Sequence, residues 1–430
     1  MPSPPPLWVF PVVPLGPLRP TSRGAAVLTL AATLALTVAC GDEDPGDGLP
    51  ATDLELPRTA GELQAIEALP ALDELPGERW SVLQPGGPTG CSLGTDFAFL
   101  VWPGRSDRLV VNFIGGGACW DPLTCGLQTF EPTVDRVLGA LEAGLLPGIF
   151  DMENPENPVA DRTHVVVPYC TADVHWGDQV ERYTEELEVD HRGATNDRVV
   201  LGWVERHLPA PERVLTTGCS AGGYGSSLWG AHLMGVFPEA SHVLLADASV
   251  GVITDDFFVD SFPRWNATAA FPDFIPGFDP DRVTGAPDYW NAFAAHFPDA
   301  TFAQFTAVRD NNQVLFYELM GGEGGADGWS TRMRGTLDAI AEASPNFRWF
   351  VAGDDPDTPE LPEDDVHCIL NPDPKYFDFA TGDELAAGSG DTFYELDTAG
   401  TRFLDWLSGL LDPEADPGSV ACPGCAPAGD

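Results

Sequence analysis

Seven runs of β-branched and aromatic residues, separated by segments with helical periodicity, constrain the fold of this chain more than any other feature. The runs lie at residues 97–102, 108–114, 163–169, 213–218, 241–247, 305–310 and 347–353. The helical segments lie at residues 133–144, 194–208, 223–237, 311–321 and 331–343. Apolar runs without alternation indicate strands that are buried on both faces, as in parallel sheets. The first run is predicted as an edge strand. The order of elements predicts one α/β domain: a mostly parallel sheet with helices on both faces and long loop insertions.

Composition supports a folded protein with a strongly acidic surface. Hydrophobic residues make up 43% of the 430 residues, which is typical of a globular chain. The chain has 66 Asp and Glu against 21 Lys and Arg, so its net charge is −45. Such a surface repels polyanions, and the sequence therefore predicts no nucleic-acid partner and no binding to anionic lipid headgroups.

The N-terminal residues predict export. Arg19 and Arg23 precede an apolar run at 25–39, which has signal-peptide length and ends at Cys40. The run is short for a membrane span. The residues around Cys40 resemble a bacterial lipoprotein box, which predicts a cell-envelope lipoprotein held to the membrane only by a lipid on Cys40. Ordinary secretion is the alternative.

Four segments follow from these patterns. We predict a signal peptide with a possible lipoprotein box at 1–40 and an acidic, Pro- and Gly-rich tether at 41–80, with one short helix in it. The catalytic domain is predicted at 81–420, and a tail at 421–430.

Cysteine usage fits an oxidising compartment. Eight cysteines remain besides Cys40, and an even number in an exported chain indicates disulfides. Cys119 and Cys125 are close enough to close one loop, whereas the other pairings stay open. The C-terminal Cys422 and Cys425 favour a terminal disulfide over a zinc half-site, because no second pair with this spacing exists.

Ser220 is the candidate nucleophile. It lies in Gly-Cys-Ser-Ala-Gly, residues 218–222, after a predicted strand and before a predicted helix. A strand, a sharp turn and a helix form the context of a nucleophile elbow, in which small neighbours relieve crowding and the helix N-terminus faces the developing negative charge. A glycine-rich turn with an uninvolved serine is the alternative.

A second glycine-rich stretch predicts the oxyanion hole. Gly115, Gly116 and Gly117 follow the strand at 108–114. Acyl transfer needs backbone N–H groups aimed at the oxyanion, and a glycine loop supplies them together with the residue after the nucleophile, Ala221. A phosphate-binding loop is the rival interpretation, but the Walker lysine and the dinucleotide spacing are absent from the sequence.

The base and the acid follow from chain order. In this architecture the order is Ser, then Asp or Glu, then His. His367 follows the last predicted strand and is the candidate base. Asp310, at the end of the run 305–310, is the preferred acid, and Asp247, at the end of 241–247, is its competitor. Asp310 is preferred because the acid usually follows the penultimate core strand.

Other residues carry weaker signals. Trp120 and Trp176 are candidates for the substrate pocket, and core packing is the alternative for each. His175 lies near Asp173 and Asp178, which could form a metal site, although a loop at the mouth of the pocket is favoured. The acidic run at 353–365 lacks the EF-hand pattern and is predicted to be a solvated loop.

Taken together, these residues resemble the pectin acetylesterase family, which includes the animal Notum carboxylesterases. The stretches that carry the resemblance are NFIGGGACWDPLTC, VPYCTADVHWGD, TTGCSAGGYGS, LLADAS, RDNNQ and DDVHC, in that order. The resemblance implies an α/β-hydrolase fold and serine-esterase chemistry with no cofactor and no metal. It implies a triad, an oxyanion hole and a local disulfide at the matching positions: Ser220, Asp310 and His367; Gly116, Gly117 and Ala221; Cys119 and Cys125.

The sequence therefore predicts a serine carboxylesterase for small acyl groups, such as acetyl on a polysaccharide. One alternative is a lipase or protein deacylase for longer acyl chains. Another is a non-catalytic binding protein on a hydrolase scaffold. Ala118 stands where plant and animal members of the family carry an aromatic residue, so the shape of the acyl pocket is expected to differ.

Overall fold

The computed structural model describes residues 56, 58–144, 147–208, 210–353, 366–370, 376–377, 384–385 and 392–422. These residues belong to one compact unit, Thr52–Asp430. The predicted signal peptide, the lipidation of Cys40 and most of the acidic run at 353–365 lie outside the described residues. No helix among the described residues is long and apolar enough to cross a membrane.

Strands and helices alternate through most of the described chain. The strands are β1 Ser81–Leu83, β2 Phe99–Trp102, β3 Arg105–Phe113, β4 Arg162–Val167, β5 Gln179–Arg182, β6 Glu188–His191, β7 Arg213–Cys219, β8 Ser241–Asp247, β9 Thr301–Ala307, β10 Phe347–Ala352, β11 Tyr376–Phe377, β12 Glu384–Leu385, β13 Asp397–Thr398, β14 Thr401–Arg402 and β15 Val420–Ala421. The α-helices are α1 Ala60–Glu67, α2 Pro122–Gly126, α3 Asp135–Glu142, α4 Gly193–His207, α5 Ala221–Val236, α6 Asp255–Asp260, α7 Phe262–Trp265, α8 Ala286–His296, α9 Asn311–Leu319, α10 Gly325–Ala343, α11 Thr392–Glu395 and α12 Phe403–Leu410. Short 3₁₀ turns lie at Leu72–Glu74, Gly148–Phe150, Ala267–Ala270 and Pro280–Arg282.

Nine strands form the central sheet, in the order β1-β2-β4-β3-β7-β8-β9-β10-β15. The pairs β1–β2 and β2–β4 are antiparallel, and every other neighbouring pair is parallel. The prediction of an α/β-hydrolase-like fold is confirmed. The strand predicted at the edge, β2, lies second, because β1 covers its outer side.

Both faces of the sheet are buried, as the unbroken apolar runs predicted. Val110 and Val111 point to opposite faces of β3 and are both 0% exposed. Val111 packs in one core with Trp203 of α4 and Leu228 of α5. Val110 packs in a second core with Phe403 and other residues of α12. The helices that follow the strands therefore cover a sheet that has no solvated face in its centre.

The packed chain begins earlier than the predicted domain boundary. Ile66 of α1 is only 1% exposed, and α1 packs against α4. Arg198 of α4 donates from Nε to Glu62 Oε1 at 2.9 Å, and both side chains are buried. The helix α1, which lies in the segment predicted as a tether, thus packs on the domain, since it carries apolar side chains that need a partner surface. At the other end, β15 and the buried, disulfide-bonded Cys422 extend the domain into the predicted tail.

The register of the central strands brings their carboxyl ends together. Phe113 of β3 is level with Gly218 of β7, and Cys219 is level with Asp247 of β8. Loops that leave these ends therefore meet above one edge of the sheet, where ligands bind in open α/β folds. β9 ends at Ala307, so Asp310 lies beyond the strand that was predicted to contain it.

Candidate active site

Ser220 lies at a sharp corner between β7 and α5. Its backbone angles are φ +56° and ψ −125°, a region that non-glycine residues rarely adopt. Small neighbours make this corner possible. A Cβ on Gly115 would lie only 2.8 Å from the Cβ of Ser220, and a Cβ on Gly222 would overlap the Phe113 carbonyl. The half-buried Ser220 therefore has the geometry of a nucleophile elbow.

Asp310 and His367 form a buried pair. Nδ1 of His367 lies 2.7 Å from Oδ2 of Asp310, and the side chains are 6% and 0% exposed. Because the carboxylate can only accept, Nδ1 carries the proton and donates, which leaves Nε2 of a neutral ring as an acceptor. Ser220 and His367 line the same cavity. The structure thus brings together all three residues of the predicted triad.

The start of α9 holds the Asp310 carboxylate. Asp310 is the N-cap of this helix, and its Oδ1 accepts from the backbone N–H groups of Asn312 and Gln313, both at 3.0 Å. The side chain of Gln313 donates from Nε2 to Oδ2 at 3.0 Å and also lines the cavity. Gln313 was missed by the sequence analysis, although it lies in the RDNNQ stretch. These bonds fix the orientation of the Asp310 carboxylate, so that Oδ2 points to His367.

Asp247, the competing acid, has a different contact. Its Oδ2 accepts from the backbone N–H of Leu370 at 2.9 Å. Burial raises the pKa of this carboxyl to about 7. Asp247 therefore holds the backbone that follows His367, while Asp310 bonds the imidazole itself.

A disulfide joins the two halves of the site. Cys219, directly before Ser220, is bonded to Cys368, directly after His367, across a sequence separation of 149 residues. The sequence left this pairing open, although a cysteine next to each catalytic candidate was a signal for it. The pair Cys91–Cys170 was also open, and the Cys119–Cys125 disulfide, which the family resemblance implied, is present.

Metal-ligand spacing occurs once among the described residues, at Cys219, His367 and Cys368. The two sulfur atoms of this group are bonded to each other, so neither is a thiolate ligand.

The glycine loop lies against the corner of Ser220. In the part of the chain that the structure describes, the N–H groups of Gly116 and Gly117 have no hydrogen-bond partner. The loop itself is held from outside: Glu131 N–H donates to the Gly116 carbonyl at 2.7 Å, and Ala118 N–H donates to the Thr129 carbonyl at 3.1 Å. Side chains are excluded here, because Gly117 has a φ of +74° and a Cβ on Gly116 would lie 2.6 Å from the Tyr169 ring.

Ala221 opens α5, a helix of 16 residues, and lines the cavity with Gly117. The free N–H groups at a helix start carry partial positive charge. The loop and the helix start together present N–H donors beside Ser220, as an oxyanion hole requires.

The cavity above these residues is small and apolar, with a volume of about 70 Å³. Trp120 and Trp176, both candidates from sequence, lie in its wall, and the two indoles are 6% and 1% exposed. The rest of the wall is largely aromatic and aliphatic: Val174, Tyr224, Val252, Ile253, Phe257, Trp265, Phe316, Met320 and Trp329. Among the described residues, no Lys or Arg lines it. The wall favours an uncharged, apolar group next to Ser220.

The side chain of His175 lies away from the cavity. The loop that carries it was expected to line the mouth of the pocket, with a metal site of His175, Asp173 and Asp178 as the alternative. Its side chain is 2% exposed and makes its polar contacts with Asp197 and the Ile114 carbonyl. Asp178 bonds Thr195 and Arg198 instead. Val174 and Trp176, the neighbours of His175, do line the cavity, so the loop lies at the pocket while the His175 side chain turns inward, against the sheet.

Comparisons with known proteins concern the family and the fold of this chain. The sequence profile of the pectinacetylesterase family matches residues 89–264. That range contains the glycine loop and Ser220 and ends before Asp310 and His367. The chain matches none of the curated proteins. Its fold is similar to that of the Wnt deacylase Notum from Drosophila, with a TM-score of 0.50 and 15% sequence identity over 74% of this chain and 89% of that chain.

Proposed function

We propose that the chain belongs to the pectin acetylesterase and Notum family, on the profile match at residues 89–264, and that it is a serine carboxylesterase with Ser220, His367 and Asp310 as its triad. One observation carries the proposal. His367, which bonds Asp310 at 2.7 Å, lies in the wall of the cavity that the strained Ser220 corner also lines. A buried imidazole with one nitrogen fixed by a carboxylate is suited to accept a hydroxyl proton at the other.

The reaction proceeds in two halves. The Ser220 hydroxyl attacks the ester carbonyl and its proton passes to Nε2 of His367. The N–H groups of Gly116, Gly117 and Ala221 stabilise the oxyanion of the tetrahedral intermediate, and one such donor contributes roughly 3 kcal/mol. His367 then protonates the leaving alcohol. A water molecule, deprotonated by His367, attacks the acyl-enzyme, the bond to Ser220 Oγ breaks as His367 returns the proton to that oxygen, and the carboxylic acid is released.

We propose a short acyl group as the substrate's acid part. The cavity of about 70 Å³ has room for roughly five water molecules, which corresponds to an acyl group of a few carbons. Acetyl on a polysaccharide fits this volume. The second candidate is a deacylase for longer chains, and the aromatic wall of the cavity favours it, because such a wall would also bury a longer hydrocarbon.

Export is part of the proposal. At least three disulfides link the described residues, and disulfides persist in extracellular and periplasmic compartments. We propose that residues 1–40 direct the chain out of the cytoplasm and that Cys40 carries the lipid anchor.

A panel of p-nitrophenyl esters tests the proposal. Wild type should be fastest on acetyl to butyryl esters, and Ser220→Ala should lower kcat/KM at least about 10³-fold. Ser227→Ala is the matched control: Ser227 lies in the same helix, and its hydroxyl donates to the Tyr224 carbonyl at 2.7 Å. A maximum at octanoyl or longer would favour the deacylase. Equal activity in wild type and Ser220→Ala would contradict the assignment of the nucleophile.

A further inference from the structure

A second buried His–Asp pair lies beneath the glycine loop and is not used by the proposed reaction. Nδ1 of His175 is 3.2 Å from Oδ1 of Asp197, and the two side chains are 2% and 0% exposed. Neither residue lines the cavity. A buried pair of titratable groups that does not touch the substrate site calls for a physical explanation, because burial of charge is costly.

The contact of the second ring nitrogen of His175 shows which groups donate and which accept hydrogen bonds. Nε2 of His175 lies 3.0 Å from the carbonyl oxygen of Ile114. Both nitrogens therefore face acceptors, a carboxylate and a carbonyl, so the ring donates in both contacts when each nitrogen carries a proton. Burial is the largest influence and opposes a charged ring, but Asp197, the Ile114 carbonyl and Asp173 together outweigh it and raise the pKa of His175. The ring thus donates to Asp197 on one side and to Ile114 on the other.

The acceptor of that second bond is the residue that enters the oxyanion loop. Ile114 is directly followed by Gly115, Gly116 and Gly117. Its carbonyl shares a peptide plane with the Gly115 N–H, so a bond to the carbonyl fixes the orientation of the first peptide of the loop. Three consecutive glycines have wide conformational freedom. The bonds from Glu131 and to Thr129 hold the far end of the loop, and the bond to Ile114 holds its entry.

The ring of His175 also touches the nucleophile helix. A Cβ on Gly225 of α5 would lie 2.8 Å from the imidazole Cδ2, so helix and ring are in close contact. Phe113 packs edge-on to the ring at 5.2 Å between centroids, and Tyr169 lies at 5.0 Å. The backbone N–H of His175 donates to Asp173 Oδ1 at 3.1 Å. The ring is therefore a fixed spacer between the loop and the helix that carries Ser220.

We propose that His175 and Asp197 are positioning residues that hold the Ile114 carbonyl, and through it the N–H groups of the glycine loop, in place for the oxyanion. Asp197 fixes the ring, and the ring fixes the loop. Neither residue exchanges a proton with the substrate. The inference rests on the proposed esterase, and it predicts that the effect falls on the tetrahedral state and not on substrate binding.

The test compares His175→Gln with His175→Phe. The glutamine amide can donate to the Ile114 carbonyl, whereas phenylalanine fills the ring volume without a donor. We expect His175→Phe to lower kcat about 10²-fold with KM within about threefold, since loss of one oxyanion donor costs 10²–10³ in kcat. His175→Gln should recover at least about tenfold of that loss. Affinity for a boronic acid, which forms a tetrahedral adduct with serine, should fall in parallel with kcat.

A second readout does not depend on esterase activity. Hydrogen exchange of the amides at 115–118 should accelerate in His175→Phe and stay close to wild type in His175→Gln. An inactive wild type would refute the proposed esterase, and this exchange pattern would still decide on the positioning role. If His175→Phe does not fold, Asp197→Asn takes its place in the same measurements. Wild-type kcat and unchanged exchange would overturn the inference, as would equal losses in the Gln and Phe variants.

Discussion

The Cys219–Cys368 disulfide is predicted to affect both the unfolding free energy and kcat, and the two effects can be measured separately. Replacing both cysteines by serine releases a loop of 149 residues. In the chain-entropy model this loop corresponds to about 5 kcal/mol of unfolding free energy. The Cys91–Cys170 bond, with a separation of 79 residues, gives about 4.5 kcal/mol in the same model. Cys119–Cys125, with a separation of 6, gives about 2 kcal/mol.

The two long loops form a matched pair for catalysis. The double serine variants of Cys219–Cys368 and of Cys91–Cys170 should lose similar stability. Only the first variant removes a covalent link between the segments that carry Ser220 and His367. We expect kcat of the Cys219–Cys368 variant to fall about 10²-fold under conditions where both variants are folded, because a small misplacement of catalytic groups costs this much. The Cys91–Cys170 variant should stay within about threefold of wild type.

Urea unfolding followed by fluorescence measures the stabilities, and ester hydrolysis at low denaturant measures kcat. The reasoning would be refuted if the Cys119–Cys125 variant lost as much stability as the Cys219–Cys368 variant. It would also be refuted if the two long-loop variants had the same kcat.

Further predictions concern the acid, the pH dependence and the substrate's charge. Asp310→Asn should lower kcat about 10⁴-fold, since it removes the acceptor that fixes the imidazole tautomer, whereas Asp247→Asn should stay within tenfold; ester kinetics on both variants decide between the two acids. Burial raises the pKa of Asp247 from 3.8 in the unfolded chain to about 7 in the folded protein. The protonated carboxyl therefore contributes its whole share of the unfolding free energy below the unfolded pKa, and this share is lost as the pH rises through the folded pKa. Asp247→Asn should therefore gain up to about 4 kcal/mol relative to wild type between about pH 4 and pH 8, by urea unfolding, and a constant difference would contradict this. With a net charge of −45, kcat/KM on acetylated polygalacturonate should rise with added salt while that on neutral acetylated xylan stays level; opposite trends would exclude repulsion by the surface.

The sequence predicted the sheet well because its strands are buried on both faces. Runs such as 213–218 and 241–247 have no alternation, and the structure ends the corresponding strands at Cys219 and Asp247. Strand ends were less certain where the chain stays apolar or extended outside the sheet. The run 305–310 contained only part of β9, which begins at Thr301 and ends at Ala307. Short edge strands such as β1 carry too little pattern to be found.

Local motifs identified the candidate site, and long-range contacts completed it. Ser220 and the glycine loop can be identified from the sequence because the backbone geometry at both places requires small residues. The choice between Asp310 and Asp247 depended on which carboxylate faces the imidazole, and both end or follow neighbouring strands. The His175–Asp197 pair could not be foreseen, because its two members are 22 residues apart and meet only when β4, the loop after it and α4 pack together. Disulfide pairing likewise depends on which cysteines are close in space, which the spacing of cysteines along the sequence does not determine.

Mapping the site of a fluorophosphonate adduct tests the central claim most directly. The probe phosphonylates a serine only when a base and an oxyanion hole activate its hydroxyl. The account predicts one adduct, on the peptide that contains Ser220, which is absent in Ser220→Ala and retained in Ser227→Ala. A folded wild type with no adduct, or with the adduct on another serine, would contradict it.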